Sequence, residues 1–233
     1  MGDTSRLIAE VRSRLSRAKR VFSLTGAGMD PAGGGPAFSA ADTLPFFEDP
    51  VAVWRWYDDR RAHLATVQPD MSHRAFAALE RRTKNFTLAT ESIDGLHRLA
   101  GSRNVLELHG NIWAVRCTRC GMGSVNREVP IHNPPSCPIC TGLVRPGIVW
   151  RGEHLPQELL VRCFEALSKC EVLILVGTSS LGHPASLFAG VARKAASYIV
   201  EIAPEPPDGE LSVDALLIGA AEDILPQIIP ACP

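Results

Sequence analysis

Two Cys-x-x-Cys pairs constrain the fold of this 233-residue chain more than any other feature of its sequence. Cys117 and Cys120 form the first pair, Cys137 and Cys140 form the second, and sixteen residues separate the pairs. Two pairs at this separation can each present two thiolates to one tetrahedral zinc ion. Disulfide bonds are the alternative, but nothing in the sequence indicates an oxidising compartment. We therefore expect one structural zinc, because four thiolates close the coordination shell and leave no position for a reactant.

The composition excludes several classes of partner. The formal net charge is −1, so the chain has no general electrostatic attraction to nucleic acid or to acidic membranes. No apolar run approaches the roughly 20 residues that a membrane-spanning helix needs, and the N-terminal segment lacks a signal-peptide core. We expect a cytoplasmic protein that binds neither nucleic acid nor membranes. The sequence carries no signature of an oligomeric state.

Outside the cysteine-rich segment, strand and helix patterns alternate. The short apolar runs that predict strands are RVFSLTGAG, NFTLAT, NVLELHG, EVLILVGTS and ASYIVEIA. Helical periodicity occurs in SHRAFAALERRT and PASLFAGVARKAA, and near the N-terminus Leu7, Ile8, Val11 and Leu15 share one helical face. This pattern predicts an α/β fold, with a doubly wound parallel sheet and helices on both of its faces. The loops that follow the strands should then meet at one edge of the sheet and form a ligand-binding cleft.

Two of these loops have the composition of phosphate-binding turns. Gly26, Ala27 and Gly28 follow the first strand, but they fall short of a full dinucleotide-binding motif, and a tight structural turn explains them equally well. The loop VGTSS, which begins at Gly177, adds hydroxyl groups and free amides after a second strand. Together the two loops favour a nucleotide-binding site over a purely structural pair of turns.

Six segments, taken in order, resemble those of sirtuins. They are LTGAGMDPAGGGPAF, TESIDGLH, LELHGN, the four-cysteine ribbon, LVRPGIVWRGEHLP and LVGTSSLGHPAS, and the resemblance spans roughly residues 21–203. Sirtuins are NAD-dependent protein-lysine deacylases that release nicotinamide and O-acyl-ADP-ribose. The resemblance implies a Rossmann-like NAD-binding domain (1–37, 74–112 and 150–233), a cofactor-loop and helical module (38–73) and a small zinc-ribbon domain (113–149).

The resemblance also implies a role for individual residues. His109 corresponds to the general base that activates a ribose hydroxyl, for which a near-neutral pKa is suited; the alternative is a structural histidine at a strand end. Asp94 corresponds to the residue that binds the nicotinamide carboxamide. The acyl-lysine would lie beside Ile148, Val149 and Trp150, where a substrate backbone adds as a strand. The implied cofactor-binding residues are Gly26, Ala27, Gly28, Phe38, Ser92, Ile93, Asp94, Gly177, Thr178 and Ser179.

Several positions depart from the sirtuin pattern. Ser39 stands where an arginine contacts the cofactor, and Ala203 stands where an asparagine contacts a ribose. Glu91 and Ser92 replace a Gln-Asn pair, and Asp30 replaces a serine near the diphosphate. Each lost polar contact costs about 1–2 kcal/mol of binding free energy. Two alternatives to a deacylase therefore stay open: an NAD- or ADP-ribose-binding protein with weakened turnover, and an ADP-ribosyltransferase.

Tyr57 and Arg60 bear on the choice of acyl group. Their spacing of three residues places both on one side of a predicted helix. The pair resembles the Tyr-x-x-Arg of sirtuins that remove succinyl, malonyl or glutaryl groups, in which the guanidinium holds the distal carboxylate. The alternative is a solvated helix face, because Asp58, Asp59 and Arg61 surround the pair. The substrate predicted here is an acylated lysine of a protein, with succinyl or malonyl groups preferred over acetyl.

Overall fold

A computed structural model describes residues 2–29, 46–131, 134–178, 182–206 and 213–229. Four residues singled out from the sequence lie outside these ranges: Asp30, Phe38, Ser39 and Ser179.

Six parallel strands form the large sheet. In chain order they are β1 (Arg20–Thr25), β2 (Asn85–Thr90), β3 (Val105–Glu107), β7 (Val172–Val176), β8 (Tyr198–Ala203) and β9 (Ala215–Ile218). Their spatial order is β3-β2-β1-β7-β8-β9, so the direction in which strands are added reverses between β1 and β7. This is the strand order of a doubly wound, Rossmann-like sheet, which confirms the predicted fold class. All five residues of β7 are buried, as expected for a central parallel strand.

Helices cover both faces of the large sheet. One face carries α1 (Gly2–Arg17), α3 (Met71–Arg82) and α7 (Ala221–Ile228), and the other carries α5 (Gln157–Leu167) and α6 (Ala185–Lys194). The predicted N-terminal helix is confirmed, because Val11 and Leu15 of α1 pack into the hydrophobic core between the large sheet and helices α1, α3 and α7. In this domain β9, α5, α7 and the four-residue helix α4 (Leu96–Leu99) were not predicted from the sequence. Strand β9 is a four-residue edge strand, and α5 buries only Cys163 and Leu167 completely. Across the described residues, no helix combines the length and apolarity needed to cross a membrane.

The chain between β3 and α5 builds a small lobe. Its strands β4 (Gly110–Cys117), β5 (Gly123–Val125) and β6 (Val144–Ile148) form an antiparallel sheet in the order β5-β4-β6. Helix α2 (Pro50–Leu64) packs on this sheet, and Trp54 and Tyr57 share one apolar cluster with residues of β4 and β6. The indole Nε1 of Trp54 donates a hydrogen bond to the carbonyl of Val144 at 2.8 Å. The helix and the cysteine-bearing sheet therefore form one packed unit.

Gly110 lies where the chain enters the small lobe. It pairs with Ile148, the last residue of β6, so the chain enters and leaves the lobe at adjacent positions. Its φ of +80° favours glycine, and a Cβ there would lie 2.8 Å from Ile148 Cα and closer still to the Gly147 carbonyl oxygen. A side chain at this position would therefore separate the two backbones.

We predict that Gly110→Ala lowers the free energy of unfolding by about 3–5 kcal/mol, because it combines a left-handed backbone with steric overlap. Gly101→Ala is a matched control, since φ is +101° and nothing lies within 4 Å of its Cβ position. The control should cost only about 1–2 kcal/mol. Urea denaturation measures both values, and equal losses would contradict the overlap at Gly110.

Candidate active site and metal centre

Two glycine loops meet at the point where strand order reverses. The amide of Gly26 donates to the carbonyl of Val176 at 3.0 Å, and the amide of Gly28 donates to the carbonyl of Gly177 at 2.9 Å. A Cβ on Gly26 would lie 2.5 Å from the Gly177 oxygen, and one on Gly28 would lie 2.8 Å from Gly177 Cα. The loops predicted from sequence are therefore packed backbone against backbone. Because no side chain intervenes, a ligand can approach the backbone of these loops closely, which suits a diphosphate.

A cavity of about 250 Å³ opens beside these loops, at the carboxyl ends of β1, β7, β8 and β9. This is the edge at which open α/β sheets bind nucleotides. The hydroxyl of Thr178, the residue after Gly177, is buried and has no hydrogen-bond partner among the described residues. Of the residues that line the cavity, the sequence predicted only Gly28 and Gly177 as binding residues. The cavity is lined by Gly28, Met29, Asp70, Val176, Gly177, Ile202, Pro204, Gly219, Ala220, Ala221 and Glu222.

His109 lies between β3 and β4, on the side of this edge that faces the small lobe. Its Nδ1 is 3.0 Å from the carbonyl oxygen of Glu91, and because a carbonyl only accepts, Nδ1 carries the proton of the neutral ring. The lone pair is then on Nε2, the atom that can remove a proton from a substrate. Burial lowers the pKa of His109, with His183 as a smaller cause, while the Glu91 hydrogen bond opposes the shift. The imidazole is therefore predominantly neutral at pH 7, as a base requires.

A second histidine near the site is also neutral, but its ring has a different hydrogen-bond partner. The Nε2 of His97 is 2.8 Å from the hydroxyl of Thr25, the residue before the first glycine loop. Burial, with a contribution from His73, lowers the pKa of His97 to about 3. The ring of His73 lies 4.8 Å from that of His97 and bonds Asp70 at 2.7 Å. This buried group supports the end of β1. The only sign of this group in the sequence is Asp70, which stands before a helical pattern and has the composition typical of a helix N-cap.

The loop after β2 carries the residues assigned to nicotinamide. The carboxylate of Asp94 is buried and accepts from the amide of Leu96 at 2.7 Å, while its carbonyl accepts from the Trp113 indole at 2.9 Å. The amide of Ser92 donates to the hydroxyl of Thr90 at 3.1 Å. The loop is thus fixed by hydrogen bonds within the protein. Burial raises the pKa of Glu91 to about 7, so this departure from the sirtuin pattern introduces an acid that titrates near neutrality.

The acyl segment (Ile148–Trp150) lies directly beside His109. The amide of Val149 donates to the carbonyl of His109 at 2.9 Å. The indole of Trp150 donates to the hydroxyl of Tyr57 at 3.0 Å, and the guanidinium of Arg145 stacks 3.4 Å from the Trp150 ring centroid. Arg145 is fixed in turn by a bidentate pair with Glu153, at 2.6 and 2.9 Å. The structure therefore connects Tyr57 with the acyl segment and His109.

The solvated-face alternative for α2 is wrong at two of the residues that suggested it. Arg61 is fully buried, and the carboxylate of Asp58 accepts from the amide of Ile131 at 2.9 Å. Both side chains bond residues that follow β5 in the ribbon, although Asp58 is only half-buried. Tyr57 is also buried, and Arg60 is partly buried on the opposite flank of the helix.

The four predicted cysteines form one cluster. All four sulfur atoms lie within 4.8 Å of one another, with Cys117 and Cys140 3.4 Å apart and Cys120 and Cys137 3.6 Å apart. A tetrahedral site with Zn–S bonds of about 2.3 Å needs sulfurs roughly 3.8 Å apart, so the cluster fits one zinc ion. Amide hydrogen bonds from Cys120 and Arg119 lower the pKa of Cys117, which favours its thiolate, whereas contacts with the neighbouring thiols raise the pKa of Cys120.

The position of the cluster makes this zinc structural. Cys117 ends β4, whereas His109 immediately precedes β4, and eight strand residues span roughly 25 Å. Four sulfur ligands also leave the metal no open position.

Comparisons with known proteins agree with this geometry. The model of the Sir2 family matches residues 37–184. NAD-dependent protein deacylase 1 of Pseudomonas aeruginosa is 38% identical over 237 aligned positions, covering 92% of this chain and 95% of that protein. NAD-dependent protein deacylase 1 of Caldanaerobacter subterraneus is 38% identical over 209 positions, covering 84% and 86%.

Solved structures show the same similarity. A Sir2 homologue in complex with NAD has a TM-score of 0.84 and 34% identity, covering 94% of this chain and 92% of that one. Sir2Af2 bound to a myristoylated histone peptide has a TM-score of 0.77 and 28% identity, covering 98% and 96%.

We predict one zinc per chain and loss of ordered structure in residues 113–149 on chelation, because the metal joins the two Cys-x-x-Cys turns of the ribbon. Cys137→Ala should lose the metal. Cys163→Ala, which removes a buried thiol outside the cluster, should retain it. Elemental analysis measures the metal, and hydrogen exchange should show faster exchange in the ribbon with β7 still protected. A metal-free parent protein would refute the assignment.

A second prediction concerns Glu91. Its pKa is higher in the folded protein (about 7) than the ordinary value of 4.5, so the folded state loses stability as pH rises through this interval. Glu91→Gln should therefore raise the melting temperature at pH 8 and leave it nearly unchanged at pH 4.5. Glu165→Gln, on the exposed side of α5, should have little effect at either pH. The same shift at both pH values for Glu91→Gln would exclude the burial effect.

Proposed function

Because this chain belongs to the Sir2 family, we propose that it is an NAD-dependent protein-lysine deacylase that acts in the cytoplasm and favours succinyl or malonyl groups. The observation that carries the proposal is the position of His109. Its ring bonds the loop assigned to nicotinamide, and its carbonyl bonds the acyl segment. The proton acceptor of the neutral ring, Nε2, therefore belongs to a residue that contacts both the loop assigned to nicotinamide and the acyl segment.

Different residues of the site bind different parts of NAD. Gly26, Gly28 and Gly177 keep side chains out of the space for the diphosphate, and Thr178 contributes its hydroxyl. Asp94 holds the nicotinamide carboxamide. When bound, NAD would supply the ADP-ribosyl group that accepts the acyl group, and with one water the products are nicotinamide, O-acyl-ADP-ribose and the free lysine.

His109 moves the proton of the reaction. Its Nε2 removes a proton from a ribose hydroxyl and so makes the oxygen nucleophilic. The hydrogen bond from Nδ1 to Glu91 keeps the ring in the tautomer that leaves Nε2 basic. Burial, which disfavours the imidazolium, maintains the base at neutral pH.

Tyr57 and Arg60 support the preference for acidic acyl groups. The hydroxyl of Tyr57 is held by Trp150, a residue of the acyl segment, so the start of the Tyr-x-x-Arg pair lies at the acyl site. Arg60 follows one helical turn later and is partly buried. A guanidinium there offers a bidentate partner to the distal carboxylate of a succinyl group, which an acetyl group lacks.

Glu91 favours a second candidate function. An acid that is partly ionised at pH 7 beside the base opposes binding of the anionic co-substrate, and Ala203 at the end of β8 offers no side-chain hydrogen bond. A protein that binds NAD or ADP-ribose with little turnover fits these two positions. Transfer of ADP-ribose to another acceptor would use the same binding residues.

Competition between acyl-lysine peptides tests the proposal. We expect the succinyl-lysine peptide to exceed the acetyl-lysine peptide in kcat/KM by about ten- to a hundredfold, the value of a charge-assisted bidentate pair. Arg60→Met should remove most of this preference and leave deacetylation nearly unchanged. Mass spectrometry of nicotinamide and O-acyl-ADP-ribose measures both reactions.

Two variants provide the controls. Arg55→Met removes an exposed arginine from the same helix and should preserve the preference. His109→Ala should stop turnover of both peptides while ADP-ribose still binds. Binding of ADP-ribose by the parent without any turnover would instead establish the second candidate.

A further inference from the structure

We propose that Arg61 is a positioning residue through which the zinc ribbon orients the acyl-recognition residues Tyr57 and Arg60. The inference rests on the proposed function, because it assigns a cause to the acyl preference of that site. It concerns a residue that makes no contact with the acyl group, and it gives the ribbon a part in substrate selection.

The contacts of Arg61 lie entirely on the ribbon side of α2. Its side chain is 0% exposed, and its Nη2 donates to both the carbonyl and the side-chain oxygen of Asn126, the latter at 2.6 Å. Its guanidinium lies 5.2 Å from the Trp113 ring centroid. The other two nitrogens, Nε and Nη1, are buried and have no hydrogen-bond partner among the described residues.

Such a residue is a poor choice for stability alone. Burial lowers the pKa of Arg61, and the charges of Asp58 and Glu128 only partly oppose the effect. Replacing a buried charge with an apolar side chain of similar size is often neutral or stabilising. The hydrogen bonds of Arg61 instead fix the orientation of its side chain, because one nitrogen binds two oxygens of a single residue.

Asn126 connects Arg61 to the metal cluster. It directly follows β5, and its amide donates to the carbonyl of Trp113 in β4 at 2.8 Å. Strand β4 ends at Cys117, and the β4–β5 turn contains Cys120. The hairpin that holds the first two zinc ligands therefore also holds the acceptor of Arg61.

Helix geometry transmits this contact to Arg60. At 100° per residue, Asp58 and Arg61 lie on one side of Tyr57, and Arg60 lies on the other. Asp58 is held by Ile131 of the ribbon, so two successive turns of α2 are fixed from the same side. A rotation of about 20° would move an atom 6 Å from the helix axis by roughly 2 Å, enough to break a hydrogen bond at the acyl site.

The test compares Arg61→Met with Arg127→Met in the zinc-loaded, full-length protein. Arg127 is exposed, and its guanidinium lies 5.1 Å from the same Trp113 ring, so the pair differs in burial and in the Asn126 contact. Arg61→Met should lower the succinyl-to-acetyl ratio of kcat/KM about tenfold through the KM of the succinyl peptide. Deacetylation, ADP-ribose affinity and zinc content should stay within about twofold of the parent. Arg127→Met should behave as the parent.

Other outcomes are decisive as well. An unchanged ratio in Arg61→Met, or equal losses on both peptides, would overturn the positioning role. If Arg61→Met does not fold, Arg61→Lys takes its place, since lysine keeps the charge but cannot bind both oxygens of Asn126 in the same way. Arg61→Lys should have a succinyl-to-acetyl ratio between those of the parent and of a protein without preference. A parental ratio in Arg61→Lys would overturn the inference. A parent protein without acyl preference would contradict the proposed function itself. This outcome therefore distinguishes a wrong proposed function from a wrong role for Arg61.

Discussion

The structure depends on a backbone contact between residues 109–110 and 147–149. Gly110 pairs with Ile148, and the carbonyl of His109 accepts from the amide of Val149 at 2.9 Å. This contact closes a long excursion of the chain, from the end of β3 through the whole ribbon and back. It also brings the candidate base to the acyl segment, because both lie at the crossing itself. A fold in which the small lobe began and ended at separate edges of the sheet would leave these groups apart.

The sequence predicted the parts of this arrangement that rest on local patterns. The spacing of the cysteines was sufficient to identify the cluster, because four thiolates at those separations have few other uses. The central strands and the helices on both faces followed from apolar runs and periodicity. Helix α5 and strand β9 lack such signals, since each buries few side chains completely. The burial of Arg61 could not be predicted either, because it depends on a surface formed by strands more than 40 residues away in the chain.

Burial fixes the charge state of the site more than ion pairing does. His97 and His109 are both neutral because a charged ring would lose its hydration, yet only His109 is held with Nδ1 on a carbonyl and next to the acyl segment. The same effect acts in the opposite direction on Glu91, whose carboxyl is partly protonated near pH 7. Burial of Glu91 thus reduces the negative charge of the loop after β2 near pH 7, where Asp94 is the other acidic residue.

The packing of the glycine loops against each other limits how this lineage can change. Gly26, Gly28 and Gly177 leave no space for a Cβ, so a substitution at any of them would separate the two loops. Sequence changes that preserve the loops can instead occur at the rim of the cavity, at positions such as Asp70 and Glu222. A descendant that abandoned catalysis would still carry both glycine loops for as long as the sheet needed them to pack.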